Sequence, residues 1–392
     1  MTIVEIYDEE VVNNICASLK FNNEKIIYIG YDKREMERGV ENINKFFALI
    51  GRNIKISCIY VCKNNLMNML EEISKILEIN NDNEEYIFDI TGGDDLILVA
   101  MGIIAERYHI DMFTTNLKGK VIWQTDNEKQ YILRDGRSEI SVRENIVLHG
   151  GDVVGPNNQK GIYTEWTFDN EFVNDINLMW EICRIDCMRW NREIGEIQQK
   201  ANKIDNIIPG VLNKTMQELI GGGILVKDSN YKNDIYCFKN KQIREALMKV
   251  GNILELYTCI TAIQMINENG NKHFQDVRVS VNIDWDGVIH DIHDDEKDTR
   301  NEIDVMMMKG MIPIFISCKN GDVGIEELYK LNTVAEKFGG KHVKKVLIAT
   351  YFGKKGASQK YFMQRAKDMR ILVIGEVHNM TKDAFVKLLA NI

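Results

Sequence analysis

The chain has 392 residues, 45% of them hydrophobic, so two or three domains with packed cores are expected. Its net charge of −9 counts mildly against a dedicated nucleic-acid-binding protein, because such proteins are usually basic. It has no signal-peptide pattern and no apolar run near the roughly 18 residues of a membrane helix, which predicts a protein without a membrane span.

The first 145 residues alternate strands and helices. Apolar strands are predicted at 3–7, 25–30, 54–61 and 85–90, with amphipathic segments such as 34–51 and 65–79 between them. A helix at 94–108 follows, and then strands at 111–116, 120–125 and 131–135. This alternation is typical of a parallel, doubly wound sheet, so residues 1–149 are assigned to a Rossmann-like α/β domain.

Ligands of such sheets bind beyond the carboxyl ends of the strands. Here those ends carry the segments YDEE (7–10), GYDKR (30–34) and DITGGDD (89–95). The glycines that open the helix after the fourth strand offer backbone N–H groups to an anion. A glycine-rich turn with a capping aspartate and no ligand is the alternative. There is no GxGxxG motif, so a dinucleotide oxidoreductase is not supported.

The middle of the chain predicts a linker and a connector. Residues 150–169 begin with a loop rich in Gly, Pro and Asn, and residues 170–204 predict one long helix. A short helix, three glycines and a hairpin then span 213–240, which is the outline of a winged helix. The segment 170–244 is therefore assigned to a winged-helix-like connector, with a structural spacer favoured over a DNA-reading role.

Residues 245–392 predict a second α/β unit. A helix at 240–266 precedes the strand at 276–287 and the hairpin 301–322. A helix, a strand, a second helix and a last strand are predicted at 324–340, 344–352, 358–369 and 370–376. A length of about 150 residues is usual for one domain.

The hairpin places charged residues on one face. Side chains alternate faces along a strand, so Asp304 shares its face with Ser317 and Lys319 whether it lies opposite residue 315 or 317. Glu255 lies on an otherwise apolar helix, where packing does not explain an acid. Buried charge is costly unless it is paired or binds a metal.

These charges suit the hydrolysis of a phosphodiester. Mg²⁺ or Mn²⁺ would polarise the phosphate and lower the pKa of an attacking water. Asp304, Glu255 and the backbone carbonyl of Cys318 are the candidate ligands, and Lys319 could orient the water or meet developing negative charge. A structural salt bridge between Asp304 and Lys319 is the alternative.

Other potential metal ligands have simpler explanations. Cys183 and Cys187 are four residues apart and are expected to share a helix face, since two soft ligands do not complete a zinc site. The 8 cysteines include no paired CxxC unit, which favours a reducing cytoplasm. His290 and His293 fall in a charged segment that is expected to be a solvated loop.

A basic segment follows the hairpin. Between Lys341 and Arg370 there are nine Lys and Arg residues and one acid, with aromatic residues interleaved. Cations beside stacking rings suit a phosphate backbone with exposed bases. Lys354, Lys355 and Lys360 are the candidate nucleic-acid contacts, and a solvated helix face with core aromatics is the alternative.

The order helix with Glu255, strand, NEIDV, turn, FISCK, helix resembles the PD-(D/E)xK restriction-endonuclease superfamily over about residues 245–392. The resemblance implies that Glu255, Asp304 and Lys319 are catalytic. That superfamily usually has an acid two residues before the lysine, where this chain has Ser317. A metal ligand would then be missing, or supplied by Glu255, Glu302 or Glu327.

The N-terminal segments 4–30 and 89–95 resemble the CRISPR-associated Rossmann-fold (CARF) domain, and the whole chain resembles the CARF-fused nucleases of type III CRISPR defence. The resemblance implies a cytoplasmic homodimer that binds a cyclic oligoadenylate, such as cyclic tetra-adenylate, and then cleaves nucleic acid with a metal. By position, the ligand would meet three strand-end loops. Their residues are Tyr7, Asp8, Glu9, Tyr31, Asp32, Lys33, Thr91, Gly92, Gly93 and Asp94.

One departure concerns charge. Many relatives have Thr and Lys after the glycines, whereas this chain has Asp94 and Asp95, which repel phosphate. They could instead meet ribose hydroxyls or adenine amino groups, leaving Lys33 or Arg34 for the phosphates.

The sequence thus predicts an oligoadenylate-activated, metal-dependent nuclease acting on nicked or single-stranded DNA and on RNA. The alternative is a ligand-responsive transcriptional regulator that uses the winged helix and has a degenerate nuclease domain. Such a regulator needs a basic recognition helix, and residues 211–220 contain Lys214 as their single cation.

Overall fold

The structure is a computed structural model of the chain. It describes residues 1–79, 84–117, 120–125, 137–164, 166–201, 207–209, 213–228, 235–249, 251–290, 297–351 and 357–392. The predicted strand at 131–135 lies outside these residues.

The N-terminal sheet is doubly wound, as predicted. Its strands are β1 (Thr2–Ile6), β2 (Lys25–Gly30), β3 (Lys55–Tyr60), β4 (Tyr86–Asp89), β5 (Asp111–Thr115) and β6 (Val121–Trp123). Their order is β3-β2-β1-β4-β5-β6, and β6 alone is antiparallel to its neighbour. The helices between them are α1 (Asn13–Lys20), α2 (Lys33–Leu49), α3 (Leu66–Ile79) and α4 (Asp95–Tyr108).

The middle of the chain is helical, with one small sheet. Its elements are α5 (Val142–Leu148), β7 (Asp152–Val153), α6 (Asn170–Ile185), α7 (Cys187–Lys200), β8 (Ile207–Pro209), α8 (Lys214–Gly221), β9 (Leu225–Lys227), β10 (Ile235–Phe238) and α9 (Lys241–Leu247). Strand β10 pairs with β8 and β9, so the helix and hairpin predicted at 213–240 are present.

The C-terminal sheet has the order β15-β14-β13-β12-β11-β7. Its elements are α10 (Asn252–Gln264), β11 (Asp276–Asp284), β12 (Arg300–Lys309), β13 (Ile312–Lys319), α11 (Glu326–Gly339), β14 (Lys344–Ala349), α12 (Ala357–Asp368), β15 (Ile371–Ile374) and α13 (Lys382–Ala390). Strands β12 and β13 form the predicted hairpin, and Gly310 has the left-handed φ of +66° that its tight turn requires.

Two predicted helices are broken. The segment 170–204 is interrupted at Asp186, whose non-helical backbone (φ −154°, ψ 86°) ends α6. Its carboxylate accepts a hydrogen bond from Arg189 N at the start of α7. The segment 240–266 is split into α9 and α10, which are bent by 118°. Among the described helices, none is by itself long and apolar enough to cross a membrane. Only this bent pair, taken together, has the length and composition of a membrane-spanning segment.

The predicted linker and domain boundaries do not separate independent hydrophobic cores. Strand β7, inside the predicted linker 150–169, pairs with β11 of the C-terminal sheet. One hydrophobic cluster contains Ile15 and Phe46 from the first unit together with Met306 and Phe315 from the last. The N-terminal and C-terminal units are therefore packed against each other over a continuous buried surface.

Candidate active site and ligand pocket

Four elements meet at a cavity of about 360 Å³. They are the start of α10, the first half of β12, the end of β13 and the start of α11. The cavity is lined by charged residues from all four and from the segment before α10. These residues are Lys249, Glu255, Glu302, Asp304, Lys319, Glu327 and Lys330.

Asp304 is held by the hairpin. Val305 pairs with Ile316, which places Asp304 beside Ser317. Its Oδ2 accepts hydrogen bonds from the backbone N of Cys318 at 2.7 Å and from Ser317 Oγ at 3.2 Å. The predicted shared face is therefore confirmed, with Asp304 next to 317 rather than 315.

Lys319 lies between two acids. Its Nζ is 3.4 Å from Asp304 Oδ2 and 3.2 Å from Glu327 Oε2. Burial opposes its charge, but these two carboxylates outweigh that effect and raise the pKa of Lys319. Lys330 Nζ, 2.8 Å from Glu327 Oε1, completes the group. The ammonium of Lys319 thus stays charged and points into the cavity.

Glu255 is the most buried acid of the cavity, with 3% of its surface exposed. Burial, and then the negative charge of Asp304, raise the pKa of Glu255 to about 7. Lys249 opposes this shift: its Nζ is 3.4 Å from Glu255 Oε1 and 2.7 Å from Glu302 Oε1. Glu255 is also in the first turn of α10, where the helix dipole favours a negative charge.

The donor chemistry of this cavity fits a hard divalent cation. Asp304, Glu255 and the carbonyl of Cys318 supply the oxygen atoms that Mg²⁺ or Mn²⁺ prefers. The described residues nevertheless contain no group of three or more His, Cys, Asp or Glu side chains placed to hold a metal. Ser317, at the position where an acid was expected, accounts for one missing ligand. The remaining acids are paired with lysines.

The predicted ligand loops converge at the carboxyl ends of β1 and β4. A Cβ atom on Gly92 would lie 3.0 Å from Asp8 Oδ2, so the two loops touch. Asp89, at the end of β4, accepts hydrogen bonds from the backbone N of Thr91 at 2.9 Å and from its hydroxyl. Thr91 Oγ1 in turn accepts from Thr115 N at 2.7 Å. The TGG turn is therefore fixed from below by a buried carboxyl.

Two predicted ligand residues serve as helix caps. Asp32 accepts from the backbone N of Arg34 at 2.9 Å and of Glu35 at 3.0 Å, which begins α2. Asp94 caps α4. Burial of the Tyr31 hydroxyl raises the pKa of Tyr31, and the neighbouring Asp94 carboxylate raises it further. These acids are therefore partly used by the backbone.

The other loop residues differ in exposure. Tyr7 packs edge-on against Tyr28 with ring centres 5.9 Å apart, whereas Glu9 and Lys33 are exposed. Gly93 has a φ of +101°, and a Cβ atom there would lie 2.4 Å from the Ile6 side chain. Only glycine fits at this position.

The sequence of residues 242–385 matches the family model described as "Card1-like, endonuclease domain". The cavity with Asp304 and Lys319 lies inside that region. This segment is therefore similar to Card1-like endonuclease domains. A comparison of the sequence with curated proteins found no match.

Three solved structures share the fold. Protein VC1899 from Vibrio cholerae has 16% identity and a TM-score of 0.73, covering 100% of this chain and 97% of that one. Can2 from Sulfobacillus thermosulfidooxidans, solved with cyclic tetra-adenylate, has 15% identity and a TM-score of 0.65, covering 98% of each chain. A type III CRISPR defence DNA nuclease activated by cyclic oligoadenylate has 12% identity and a TM-score of 0.51, covering 91% of this chain and 47% of that one.

The resemblance to CARF-fused nucleases is thereby confirmed for the fold. Within the region similar to Card1-like endonucleases, the predicted catalytic residues Glu255, Asp304 and Lys319 line one cavity. Sequence reasoning missed Lys249 and Lys330. Lys330 could have been found, because it follows Glu327 by three residues on a predicted helix.

The basic segment of the endonuclease domain is only partly described. Lys354 and Lys355 lie outside the described residues, and Lys360 is exposed on α12. Beside it, the Tyr361 ring is 58% exposed and lies 5.9 Å from the Arg365 guanidinium. Phe362 is in the core. The segment thus has a feature of each alternative: an exposed face of cations and an aromatic ring, as nucleic-acid binding requires, and an aromatic residue in the core.

The remaining candidates have local partners. His290 Nδ1 is 3.2 Å from Asp298, while His293 lies outside the described residues. Cys183 and Cys187 are buried at the junction of α6 and α7. A larger cavity of about 560 Å³ lies between residues 162–164, 166–168 and β11, and its described lining residues differ from those of the cavity around Asp304.

Proposed function

We propose that the protein is a cyclic-oligoadenylate-activated, metal-dependent endonuclease of type III CRISPR antiviral defence, acting in the cytoplasm. The observation that carries this proposal is the meeting of Glu255, Asp304 and Lys319 in one cavity of a Card1-like endonuclease domain. The substrates proposed are DNA, nicked or single-stranded, and single-stranded RNA.

Asp304, Glu255 and the Cys318 carbonyl would hold the metal, with Glu302 or Glu327 as further ligands. A bound Mg²⁺ or Mn²⁺ would polarise the scissile phosphate and make a water more acidic. Lys319 keeps its proton, so its ammonium stabilises the negative charge that develops on the phosphate. Its position is fixed because Asp304 and Glu327 hold it from two sides.

The activator would bind where the loops after β1, β2 and β4 converge. The structure of Can2 contains cyclic tetra-adenylate, and this is the ring size proposed here. The backbone of the TGG turn would approach the phosphates closely, since Gly92 and Gly93 carry no side chain. Lys33 is exposed, and a phosphate would compete with Glu37, which lies 3.8 Å from its ammonium. The acids Asp8 and Asp94 suit ribose hydroxyls or adenine amino groups.

A homodimer is part of the proposal. Helix α4 exposes Val99 and Ile103 one turn apart, at 50% and 38% of their surface. Met67 at the start of α3 is 73% exposed. Apolar residues on helices beside the ligand loops suit contact with a second copy, which would offer the same loops to a symmetric ring.

The alternative, a winged-helix regulator with a degenerate nuclease domain, has less support. Helix α8 contains Lys214 as its single cation, and a DNA-reading helix needs more. The cavity also retains an acid and a lysine on a rigid hairpin.

One incubation tests the proposal. Protein, Mn²⁺ and cyclic tetra-adenylate are mixed with supercoiled plasmid and end-labelled RNA, and matched reactions omit the activator, omit the metal or use Asp304→Asn. We expect fast cleavage only in the complete reaction, and a slow basal rate when the activator alone is omitted. Cleavage that is unaffected by EDTA, or equal for Asp304→Asn, would refute the assigned site. No cleavage together with specific binding of a DNA duplex would favour the regulator.

A further inference from the structure

Lys249 lies where the cavity would receive a cation. It sits between α9 and α10, and its ammonium contacts two carboxylates at once: Glu255 at 3.4 Å and Glu302 at 2.7 Å. No role for it follows from the endonuclease-domain resemblance. The question is what a third lysine does among residues that would bind a divalent cation.

The charges of the cavity explain why a lysine is tolerated there. Four acids line the cavity, and an unpaired buried carboxylate is costly. The ammonium of Lys249 lies 3.4 Å from Glu255 and 2.7 Å from Glu302, so it forms ion pairs with two of these acids. Lys249 is therefore a resident cation that neutralises the carboxylates from within the chain.

The same contacts oppose a second cation. A divalent ion that binds Glu255 must approach an ammonium 3.4 Å from that carboxylate and is repelled by it. Lys249 can yield, because 45% of its side chain is exposed, against 4% for Glu255. Glu302, at the cavity rim and 39% exposed, offers the ammonium an alternative partner.

We propose that Lys249 is a positioning residue that competes with the metal for Glu255 and retreats onto Glu302 when the metal binds. This inference rests on the proposed function, because it assumes that the cavity takes a divalent cation. It accounts for the absence of a preformed group of three ligands among the described residues. The lysine stabilises the acids before the metal arrives, at the expense of metal affinity.

Removing the positive charge tests the proposal without any measurement of cleavage. Mn²⁺ binding to the full chain, without nucleic acid or activator, is measured by calorimetry for wild type, Lys249→Met and Lys249→Arg at a pH of about 8.5, where acids are ionised. We expect Lys249→Met to bind Mn²⁺ roughly tenfold more tightly than wild type. Lys249→Arg keeps the charge and should remain close to wild type.

Lys330→Met is the matched control. It removes the same charge from the same cavity, but Lys330 contacts Glu327 and is 68% exposed, so its effect should be much smaller. A second readout is melting temperature. Metal-free Lys249→Met should melt below wild type, and saturating Mn²⁺ should raise its melting temperature by more than it raises that of wild type.

The possible failures are distinguishable. Mn²⁺ binding that is equal or weaker in Lys249→Met, or equally tightened in Lys330→Met, overturns the competition while leaving a metal-dependent nuclease intact. Absence of Mn²⁺ binding in every protein overturns both the competition and the metal dependence of the proposed function.

Discussion

Cleavage should depend most strongly on Asp304 and Lys319. Asp304→Asn removes the charge that a metal would need, and Lys319→Met removes the ammonium that would face the phosphate. We expect each change to lower the cleavage rate by about 10²-fold or more. Both side chains sit at the edge of a cavity rather than in a core layer, so folding and activator binding should be preserved.

These two variants are compared with Lys330→Met in the plasmid and RNA assays, with circular dichroism as a check on folding. Lys330 lines the same cavity, but its ammonium contacts the outer side of Glu327, and its loss should change the rate by a factor of about three or less. An Asp304→Asn or Lys319→Met enzyme with normal activity would contradict the assignment.

Asp89 should make the stability of the protein depend on pH. Burial raises the pKa of Asp89 from 3.8 to about 6, although hydrogen bonds from Thr91 oppose the shift. Between these two pKa values, the Asp89 carboxyl is therefore protonated in the folded state and ionised in the unfolded state. The resulting stabilisation is fully present below the unfolded pKa and is lost as the pH rises through about 6, by about 3 kcal/mol in total.

Asp89→Asn keeps an oxygen acceptor for Thr91 and removes the charge, so this pH dependence should disappear. Urea unfolding from about pH 4 to about pH 8 measures it. The free energy of unfolding of the variant, relative to wild type, should rise with pH by up to about 3 kcal/mol. A constant difference would show that Asp89 does not titrate in this range.

At the residue level, the sequence predicted what strand periodicity controls. Asp304, Ser317 and Lys319 share a face because side chains alternate along paired strands. Lys249 was not predictable, because its place in the cavity depends on the 118° bend between α9 and α10. Nor was Ser280, which has a φ of +52° between the pairs Val279–Val305 and Val281–Ile303, directly across from Asp304.

At the level of elements, strongly periodic segments were predicted and breaks were missed. The helix that became α11 and the strands of the hairpin have clear apolar periods. The break at Asp186 was missed because one capping aspartate interrupts an otherwise helical pattern. Strand β7 was missed because two residues carry no period, and it exists through its pairing with β11.

Helix α12 should contribute to substrate binding through its exposed face. Lys360 and Tyr361 lie side by side there, with Arg365 one turn further on. Lys360→Ala should weaken binding and reduce the slope of log affinity against log salt by about 0.7–0.9, the value for one phosphate contact. The measurement is a salt titration of oligonucleotide binding by the Asp304→Asn protein.

Lys382→Ala is the control for that titration, since Lys382 lies on α13, where its ammonium contacts Gln264 at 3.1 Å. Its slope should remain that of the parent protein. A slope that does not change in Lys360→Ala would make the α12 face a solvated surface without contact to the substrate.

In the whole molecule, the predicted ligand loops and the cavity around Asp304 are joined by one helix, α11. Lys341 lies just beyond α11, and its Nζ is 3.8 Å from Asp8 Oδ1. Its backbone N donates a hydrogen bond to the carboxylate of the buried Glu10. Glu327, in the first turn of α11, contacts Lys319. A shift of the loop after β1 would therefore be felt at both ends of a rigid element, as coupling between two sites requires.

Gly92→Val should separate activation from cleavage. A Cβ atom at Gly92 would already lie 3.0 Å from Asp8 Oδ2. A branched side chain would fill the space in which the proposed activator would meet the backbone. A ligand shifts a conformational equilibrium only through its differential affinity for the two states. The variant should therefore need at least about tenfold more cyclic tetra-adenylate for half-maximal activation, whereas activator-independent cleavage should be unchanged.

Gly195→Val is the matched control, because an added Cβ there meets nothing within 4 Å on α7 of the connector. Both variants are titrated with cyclic tetra-adenylate in the plasmid assay, and basal cleavage is measured at the same enzyme concentration.

If Gly92→Val is activated like Gly195→Val and wild type, the activator binds elsewhere and the loops after β1 and β4 are not its pocket. If basal cleavage is lost as well, the change has damaged the endonuclease domain through the packed surface between the units, and the loss says nothing about the pocket until binding of labelled activator is measured directly. Reduced binding with intact basal cleavage is the result that the geometry of Asp8 and Gly92 leads us to expect.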